Sequence, residues 1–185
     1  MRLFIAVAVP GTTASELEAA VAPLRSSWPS LRWTGRDAWH LTLAFLGEVN
    51  DVVAAGLAGP LGAAAADHSR LVLSLAGAGA FPGADRAHVL WTGVQSEGDR
   101  LTALATSVAE GAKAAGAPPT EDGRDFQPHL TLARARAAVD VRTLVAELAG
   151  YAGKPWTAEE IYLIRSRPQS RPRYETLGSW PLCAR

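Results

Sequence analysis

The chain has 185 residues, of which 48% are hydrophobic, and its 18 basic side chains are balanced by 18 acidic ones. This size and apolar content suit one compact domain, including a domain made by internal duplication. Zero net charge excludes a surface that is positive throughout, as in proteins that coat nucleic acid, so any nucleic-acid contact is expected to be local.

Cysteine content and the length of the apolar segments indicate the environment of the protein. Cys183 is the single cysteine, which excludes an internal disulfide and any cysteine-rich zinc site. The opening apolar run ends at Pro10-Gly11, too early for the core of a signal peptide. No apolar run approaches the roughly 20 residues that cross a bilayer. We therefore predict a cytoplasmic protein that does not contact membranes.

Hydrophobic patterning predicts helices mixed with strands along the whole chain. In chain order, the predicted strands are residues 1–9, 32–34, 39–46, 71–75, 87–94, 129–134, 161–164 and 174–180. The predicted helices are residues 13–27, a helix capped by Asn50 or Asp51, and residues 96–115 and 141–148. The Gly/Pro-rich residues 77–83 and the polar residues 120–125 are predicted to be loops.

The order of these elements leaves two sheet types to consider. Alternating strands and helices are typical of a doubly wound parallel sheet, but no Gly-rich phosphate loop follows the first strand. The strands also come in hairpin-like pairs. We therefore predict an α+β fold in which helices pack on the outside of antiparallel sheets.

One five-residue segment occurs twice in the chain. Residues 40–44 and residues 129–133 both read His-Leu-Thr-Leu-Ala, and the two copies take up two of the four histidines. Both copies fall in predicted strands about half a chain apart. This spacing is expected if a half-domain has been duplicated.

Side-chain alternation along a strand gives each copy two different faces. In the first copy, His40 and Thr42 share one face, while Leu41, Leu43 and Phe45 share the other. The second copy has the same parity, so its histidine and threonine also lie together. Each strand therefore presents an apolar face to a core, and we expect the two His-Thr faces to meet in a groove between the halves.

Two histidines and two hydroxyls suit reactions of a cyclic phosphodiester. One imidazole can act as a base and the other as an acid near neutral pH. Threonine hydroxyls can donate hydrogen bonds to the non-bridging oxygens, where charge develops in the transition state. Two simpler interpretations are that each histidine only satisfies a local hydrogen bond, or that the repeat is a relic of duplication. Neither explains why His and Thr recur together on the face that does not belong to the core.

The repeat lies within a longer pattern that covers nearly the whole chain. Its residues are Arg2–Ala6, Trp39–Leu43, Phe45–Gly47, Phe81-Pro82, Val89–Trp91, Phe126, Pro128–Arg134, Ser166, Tyr174 and Trp180. This pattern resembles the two-histidine (2H) phosphoesterases, and specifically the bacterial and archaeal RNA 2',3'-cyclic phosphodiesterases also called 2'-5' RNA ligases. One His-x-Thr motif is weak support, whereas two motifs in this pattern are strong support.

The resemblance implies a fold and a partner. It implies one domain over residues 1–185, made of two pseudo-symmetric lobes, with two antiparallel sheets and outer helices around a central cleft. It also implies that neither a metal nor another cofactor is needed. We further expect a monomer. The expected partner is RNA that ends in a 2',3'-cyclic phosphate.

The resemblance also implies a role for each repeat residue. His40 is expected to donate a proton to the leaving 3' oxygen, and His129 is expected to accept a proton from the attacking water, which gives a 2'-phosphate end. Thr42 and Thr131 are expected to bind the substrate phosphate. If a 5'-hydroxyl replaces the water, the same two histidines join RNA ends through a 2'-5' linkage.

Arginines are the remaining candidates for binding the substrate. By resemblance, Arg134 contacts the phosphate or the RNA, but strand alternation places it on the opposite face from His129. Such a contact therefore requires a strand end or a β-bulge. Four more arginines precede the last predicted strand and are either RNA contacts or solvated loop charges, of which we favour the second interpretation. They are Arg165, Arg167, Arg171 and Arg173.

Three other functions remain open. A phosphodiesterase for small cyclic nucleotides would use the same two histidines, and substrate length distinguishes it from the RNA enzyme. A non-catalytic RNA-binding protein would use the groove for recognition alone. Metal-dependent hydrolysis is a weaker candidate, because His, Asp and Glu residues do not cluster at the spacing of metal ligands.

Overall fold

The computed structural model describes residues 1–120 and 125–184. Within these residues the strands are β1 (Arg2–Ala8), β2 (Arg32–Trp33), β3 (His40–Glu48), β4 (Leu71–Phe81), β5 (Ala87–Ser96), β6 (His129–Val139), β7 (Trp156–Ala158), β8 (Glu160–Ser166) and β9 (Tyr174–Pro181). The helices are α1 (Gly11–Ser27), α2 (Asp51–Gly56), α3 (Ala58–Ala66), α4 (Arg100–Ala114) and α5 (Arg142–Leu148), together with a 3₁₀ turn at Arg36–Ala38.

The named strands form two sheets in which every pairing is antiparallel. One sheet has the strand order β3-β1-β8-β9 and the other has the order β2-β6-β5-β4-β7. The predicted α+β fold with two antiparallel sheets is therefore confirmed. Strands β3 and β6, which carry the two copies of the repeat, contact each other, so the two sheets meet at the repeat.

The two strand orders correspond position by position. The order β3-β1-β8-β9 matches β6-β5-β4-β7, and β2 is an additional edge strand beside β6. Each repeat strand therefore has an equivalent neighbour, β1 in one sheet and β5 in the other. That these halves form one pseudo-symmetric domain over residues 1–185 stays a prediction.

Strand β1 lies in the middle of its sheet. It is buried at every position from Leu3 to Val7, as expected for a strand with both faces covered. Helix α1 adds Leu17 and Val21 to the same core, and neither side chain is exposed. Among the described helices, none combines the length and the apolar character needed to span a membrane.

Strand β4 is longer than the sequence predicts. Residues 77–83 are predicted to be a loop, but β4 continues to Phe81 and pairs with β5. The pairing shifts register before Gly79, and Gly77 adopts a φ of 61° at this irregularity. Glycine suits position 79 because the ring of Trp91 occupies the space that a side chain would fill. These glycines therefore belong to a bulged strand and not to a loop.

Two further boundaries differ because strands extend beyond their most apolar residues. Strand β5 continues to Ser96, which lies opposite Leu73, so α4 begins at Arg100 instead of residue 96. Strand β6 continues past Arg134 to Val139. The ends of both strands are determined by pairing with a neighbouring strand. This pairing is not apparent from the local sequence.

Two short elements also differ from the prediction. The helix predicted after Asn50 or Asp51 is divided into α2 and α3, and Asn50 is the capping residue, since its side chain accepts a hydrogen bond of 2.9 Å from the Val53 amide. The three residues of β7 have no predicted counterpart. The predicted loop at residues 120–125 falls mainly on residues 121–124, which lie outside the described residues.

Candidate active site

A β-bulge interrupts the first copy of the repeat just after its threonine. Ala6 of β1 lies opposite Thr42, but the preceding Ile5 lies opposite Ala44, so Leu43 has no partner on β1. Leu43 and Ala44 are consecutive in sequence and both buried. The alternation of faces therefore reverses at this point.

The second copy has a bulge at the equivalent position. Trp91 of β5 lies opposite Thr131, whereas Leu90 lies opposite Ala133, so Leu132 is skipped. Leu132 and Ala133 are again consecutive buried residues. The two halves thus share a backbone irregularity as well as five identical residues.

Each bulge determines which later side chain of the strand lies on the same face as the histidine and the threonine. The equivalent positions, one residue after each repeat, hold Phe45 and Arg134. The prediction that Phe45 shares the apolar face with Leu43 is wrong, because Phe45 is 37% exposed and its ring lies 5.9 Å from that of Phe4. The bulge in β6 lies between His129 and Arg134, and it reverses the alternation so that Arg134 shares a face with His129.

His40 lies in an aromatic pocket formed by two other strands. The ring of Phe4 stacks on the imidazole with 4.6 Å between centroids, and the Tyr174 ring meets it edge-on at 5.2 Å. Burial lowers the pKa of His40 from 6.5 to about 4, and the nearby charges of Arg134, Arg173 and His129 contribute to this lowering in that order. In the absence of an anion, this imidazole is therefore neutral near pH 7.

His129 has different surroundings. The rings of Phe81 and Trp91 lie 5.0 and 6.0 Å from its ring, and its Nδ1 lies 2.6 Å from the carbonyl oxygen of Gln127. A carbonyl only accepts hydrogen bonds, so Nδ1 carries a proton in this contact. In the neutral ring, Nε2 then holds the lone pair and can act as a base.

The two repeat histidines belong to one site. The charge of His129 acts on His40, and the charge of Arg134 acts on His40 more strongly. Thr42 and Thr131 are half-buried and stand two residues after their histidines, before either bulge, so each keeps the parity that the sequence predicts. The structure thus brings His40, His129 and Arg134 together, and strand parity places Thr42 and Thr131 on the same faces as their histidines.

Thr34 connects the two halves beside the site and is not apparent from the repeat. Its hydroxyl lies 2.7 Å from the carbonyl oxygen of Thr131 and 2.9 Å from that of Leu132, so one proton serves two acceptors. The same hydroxyl accepts a hydrogen bond of 3.0 Å from the indole of Trp39, which precedes His40. The start of β3 is therefore tied to the backbone of the second repeat. No local sequence signal marks the link from Thr34 to the second repeat, because the two carbonyl acceptors lie 97 and 98 residues away.

Of the four arginines before β9, Arg171 is exposed and the other three form two groups. Arg165 and Arg167 face the same carboxylate, Glu175, at 3.9 and 2.5 Å. Arg173 instead lies over the ring of Tyr174, 5.5 Å from its centroid, and its charge acts on His40. Arg173 is exposed, as the solvated interpretation expects, and its charge nevertheless acts at the site.

Metal ligands do not gather in the described part of the chain. Residues 1–120 and 125–184 contain no group of three or more His, Cys, Asp or Glu side chains that could hold an ion. The site is instead composed of imidazoles, hydroxyls, guanidinium groups and aromatic rings. These groups suit an anion and proton transfer to or from it.

Comparison with known proteins gives consistent matches. A family model described as the 2'-5' RNA ligase superfamily matches residues 13–169. An RNA 2',3'-cyclic phosphodiesterase of Geobacillus stearothermophilus is 31% identical over 180 residues, which cover 97% of this chain and 56% of that protein. Another from Aeropyrum pernix is 33% identical over 145 residues, which cover 76% of this chain and 80% of that protein.

A solved structure matches over the full length. The crystal structure of TT0787 from Thermus thermophilus superposes with a TM-score of 0.77 at 26% identity, and the match covers 100% of this chain and 99% of that one. The present chain therefore spans just over half of the Geobacillus relative but nearly all of the Thermus protein.

Proposed function

Because the chain belongs to the 2'-5' RNA ligase superfamily, we propose that it hydrolyses 2',3'-cyclic phosphate ends of RNA to 2'-phosphate ends. The observation that supports this most strongly is that His40 and His129, half a chain apart in sequence, interact in one site beside Arg134. Relatives named RNA 2',3'-cyclic phosphodiesterase support the choice of substrate.

The proposed reaction uses each histidine once. His129 Nε2 takes a proton from a water molecule while the water oxygen attacks phosphorus. The bond between phosphorus and the 3' oxygen breaks, and His40 donates a proton to that oxygen. The product has a free 3'-hydroxyl and a 2'-phosphate. Thr42, Thr131 and Arg134 bind the non-bridging oxygens, where negative charge increases in the transition state.

The proton-donor role of His40 requires that the substrate raise its pKa. Without a ligand, the pKa of about 4 leaves the imidazole unprotonated at neutral pH. A cyclic phosphodiester brings a negative charge next to His40 and opposes the charges of Arg134 and Arg173, which favours the imidazolium. The low pKa also supports a second division of roles, in which His40 is the base and His129 the acid.

Ligation follows from the same site if another nucleophile enters. A 5'-hydroxyl in place of water would lose its proton to the base and attack phosphorus. The bond to the 3' oxygen would break as before, and the two RNA ends would be joined by a 2'-5' phosphodiester. We propose hydrolysis as the main activity, with ligation as an additional reaction of the same pair of histidines.

Two other functions make different predictions. A phosphodiesterase for small cyclic nucleotides would show no preference for RNA ends over mononucleotides. A non-catalytic RNA-binding protein would bind RNA equally well after His40→Ala or His129→Ala and would not turn over substrate. The aromatic pockets around both imidazoles favour the enzyme, since they hold each ring in a fixed orientation.

The proposal includes the cellular context. We propose that the protein acts on RNA in the cytoplasm as a monomer without a cofactor. The single cysteine is compatible with a reducing compartment. A local cluster of arginines, on a chain of zero net charge, supports RNA as the partner because the cations are concentrated where the substrate phosphate would bind.

The direct test is turnover of an oligoribonucleotide that ends in a 2',3'-cyclic phosphate, with EDTA present. We expect the wild type to form the 2'-phosphate, and His40→Ala and His129→Ala each to lose about 10²- to 10⁴-fold in kcat. His88→Ala is the matched control, since this exposed histidine lies on β5 outside the site. Formation of a 3'-phosphate, loss of activity with EDTA, or full activity in either site variant would contradict the proposal.

A further inference from the structure

Four arginines from four different parts of the chain interact electrostatically at one edge of the candidate site. Arg173 lies over Tyr174, whose ring contacts His40. Burial lowers the pKa of Arg134, Tyr174 opposes this shift, and the charges of Arg173, Arg32 and Arg2 lower the pKa further. We call Arg2, Arg32, Arg134 and Arg173 the arginine cluster.

Two members of the arginine cluster are direct cross-strand neighbours. The Cα atom of Arg32 on β2 lies opposite that of Arg134 on β6 in the antiparallel pair. Like charges in this position repel each other and destabilise a sheet. The arrangement therefore costs stability in the unliganded protein, and a bound anion that reaches both guanidinium groups would remove the repulsion.

Carboxylates do not neutralise the arginine cluster within residues 1–120 and 125–184. None of its four members is within 4.0 Å of an acidic group there. Arg2 lies opposite Glu48 in the β1–β3 pair, but that carboxylate is 3.4 Å from the amino group of Met1. By contrast, Arg165 and Arg167 share Glu175. Among the described residues, carboxylate pairing is thus present for Arg165 and Arg167 and absent for the arginine cluster.

The charge of the arginine cluster exceeds the charge of the reacting group. A cyclic phosphodiester carries one negative charge, and Arg134 beside the two histidines is sufficient to bind it. Arg32 lies opposite Arg134 in the sheet, and Arg173 lies over the ring of Tyr174, so each adds a positive charge beyond that of Arg134. An RNA strand offers one additional negative charge for each nucleotide before its cyclic end.

From this arrangement we propose that Arg32 and Arg173 bind backbone phosphates of the nucleotides that precede the cyclic end, so that the protein selects RNA strands over cyclic mononucleotides. Arg2 extends the same positive surface. The inference rests on the proposed function, and it identifies the residues that distinguish an RNA enzyme from an enzyme for small nucleotides. Neither arginine transfers a proton, and the effect of the Arg173 charge on His40 is common to both substrates, so it cancels in their ratio.

The test compares two substrates, a cyclic mononucleotide and an oligoribonucleotide of about ten residues with the same cyclic end. We expect the wild type to have a higher kcat/KM on the oligoribonucleotide. Arg32→Ala and Arg173→Ala should each reduce the ratio of the two kcat/KM values about fivefold, mainly through KM on the longer substrate. A plot of log kcat/KM against log salt concentration has a negative slope. This slope should become less negative by about 0.7 for each arginine removed, because the counterion released by one phosphate contact is no longer released.

Arg70→Ala is the matched control. Arg70 is also partly exposed but pairs with Glu159 at 3.0 Å, at the end of β4 away from Phe81, so its loss should change neither the ratio nor the salt slope. Thermal unfolding of each variant reports whether the fold is retained. Arg32→Lys and Arg173→Lys should restore part of the ratio and the salt slope.

The two proposals fail in different ways. If the wild type hydrolyses neither substrate, the proposed function is wrong. If it hydrolyses both, but Arg32→Ala and Arg173→Ala change both kcat/KM values by the same factor or change neither, the phosphate contacts are wrong and the enzyme assignment is retained. An equal kcat/KM of the wild type on the two substrates would also overturn the inference.

Discussion

His40 and His129 begin identical five-residue segments but experience different environments. His40 is stacked on Phe4 and exposed to the charges of Arg134 and Arg173, whereas His129 donates from Nδ1 to a backbone carbonyl. All of these neighbours lie outside the repeat. The chemical difference between the two imidazoles therefore comes from the surrounding strands and not from the motif.

The division of roles can be tested with a modified leaving group. In a substrate with sulfur in place of the 3' bridging oxygen, the leaving thiolate needs no proton. We expect His40→Ala to recover most of its lost activity on this substrate, while His129→Ala stays inactive because water still has to be deprotonated. Single-turnover rates on both substrates measure the effect. Recovery in His129→Ala instead would exchange the two roles.

Burial of His40 also predicts how stability depends on pH. Its pKa is about 4 in the folded protein and 6.5 in the unfolded chain, so between these values only the unfolded chain takes up the proton. Stability from this residue is thus fully present above pH 6.5 and falls as the pH drops toward 4. The free energy of unfolding falls by at most about 3 kcal/mol through this residue.

Urea unfolding between about pH 7 and pH 4.5 measures this loss, with His40→Gln as the comparison. The carboxylates titrate in both proteins, so the difference between the two curves isolates His40. The wild type should lose more stability than His40→Gln as the pH falls. Parallel curves would mean that His40 is protonated in the folded protein as readily as in the unfolded chain.

At the scale of elements, the two bulges are the main feature that orients the site. The sequence indicates that Arg134 needs an irregularity to reach the face of His129, because strand parity is calculable. Phe45 occupies the equivalent position in the first copy, and its predicted face is wrong because a bulge reverses the parity there too. A bulge depends on the register between two strands, and one strand alone does not reveal it.

Strand β4 supports the His129 pocket through Gly79. A Cβ atom at this position would overlap the ring of Trp91, which contacts both Phe81 and His129. We expect Gly79→Ala to displace the indole, reduce kcat by about tenfold to a hundredfold and cost about 1–3 kcal/mol of stability through overpacking.

Gly59→Ala is the control for this substitution. Gly59 lies in α3 with no atom within 4 Å of the added carbon, so the change should leave kcat unaltered and stabilise the helix by about 0.5–1 kcal/mol. Steady-state kinetics and urea unfolding of both variants measure the two effects. Unchanged kcat in Gly79→Ala would show that the Trp91 ring does not orient His129.

At the scale of the whole molecule, the sequence predicts the α+β class, the antiparallel sheets and the meeting of the two repeats. These follow from local periodicity and from the repeat itself. It does not predict the three-residue β7, the division of α2 from α3, or the bond from Thr34 to the second repeat. Each of these depends on contacts between distant segments that local patterns do not encode.

Charge is also distributed unevenly at this scale. The chain has no net charge. The arginine cluster nevertheless has no carboxylate partner among the described residues, and it centres on Arg134, whose charge acts on His40. Positive charge is thus concentrated at the candidate site. The four arginines come from β2, β6, the start of β1 and the segment before β9, and the fold brings their charges within range of one another.

The central claim is that His40 and His129 act as a pair in one chemical step. The measurement that tests it most directly is kcat/KM on the cyclic-phosphate oligoribonucleotide for His40→Ala, His129→Ala and the variant with both substitutions. We predict that the double variant loses little more than either single variant, because residues that act as a unit are not additive. Losses that multiply in the double variant, or a single variant with wild-type kcat/KM, would contradict a paired mechanism.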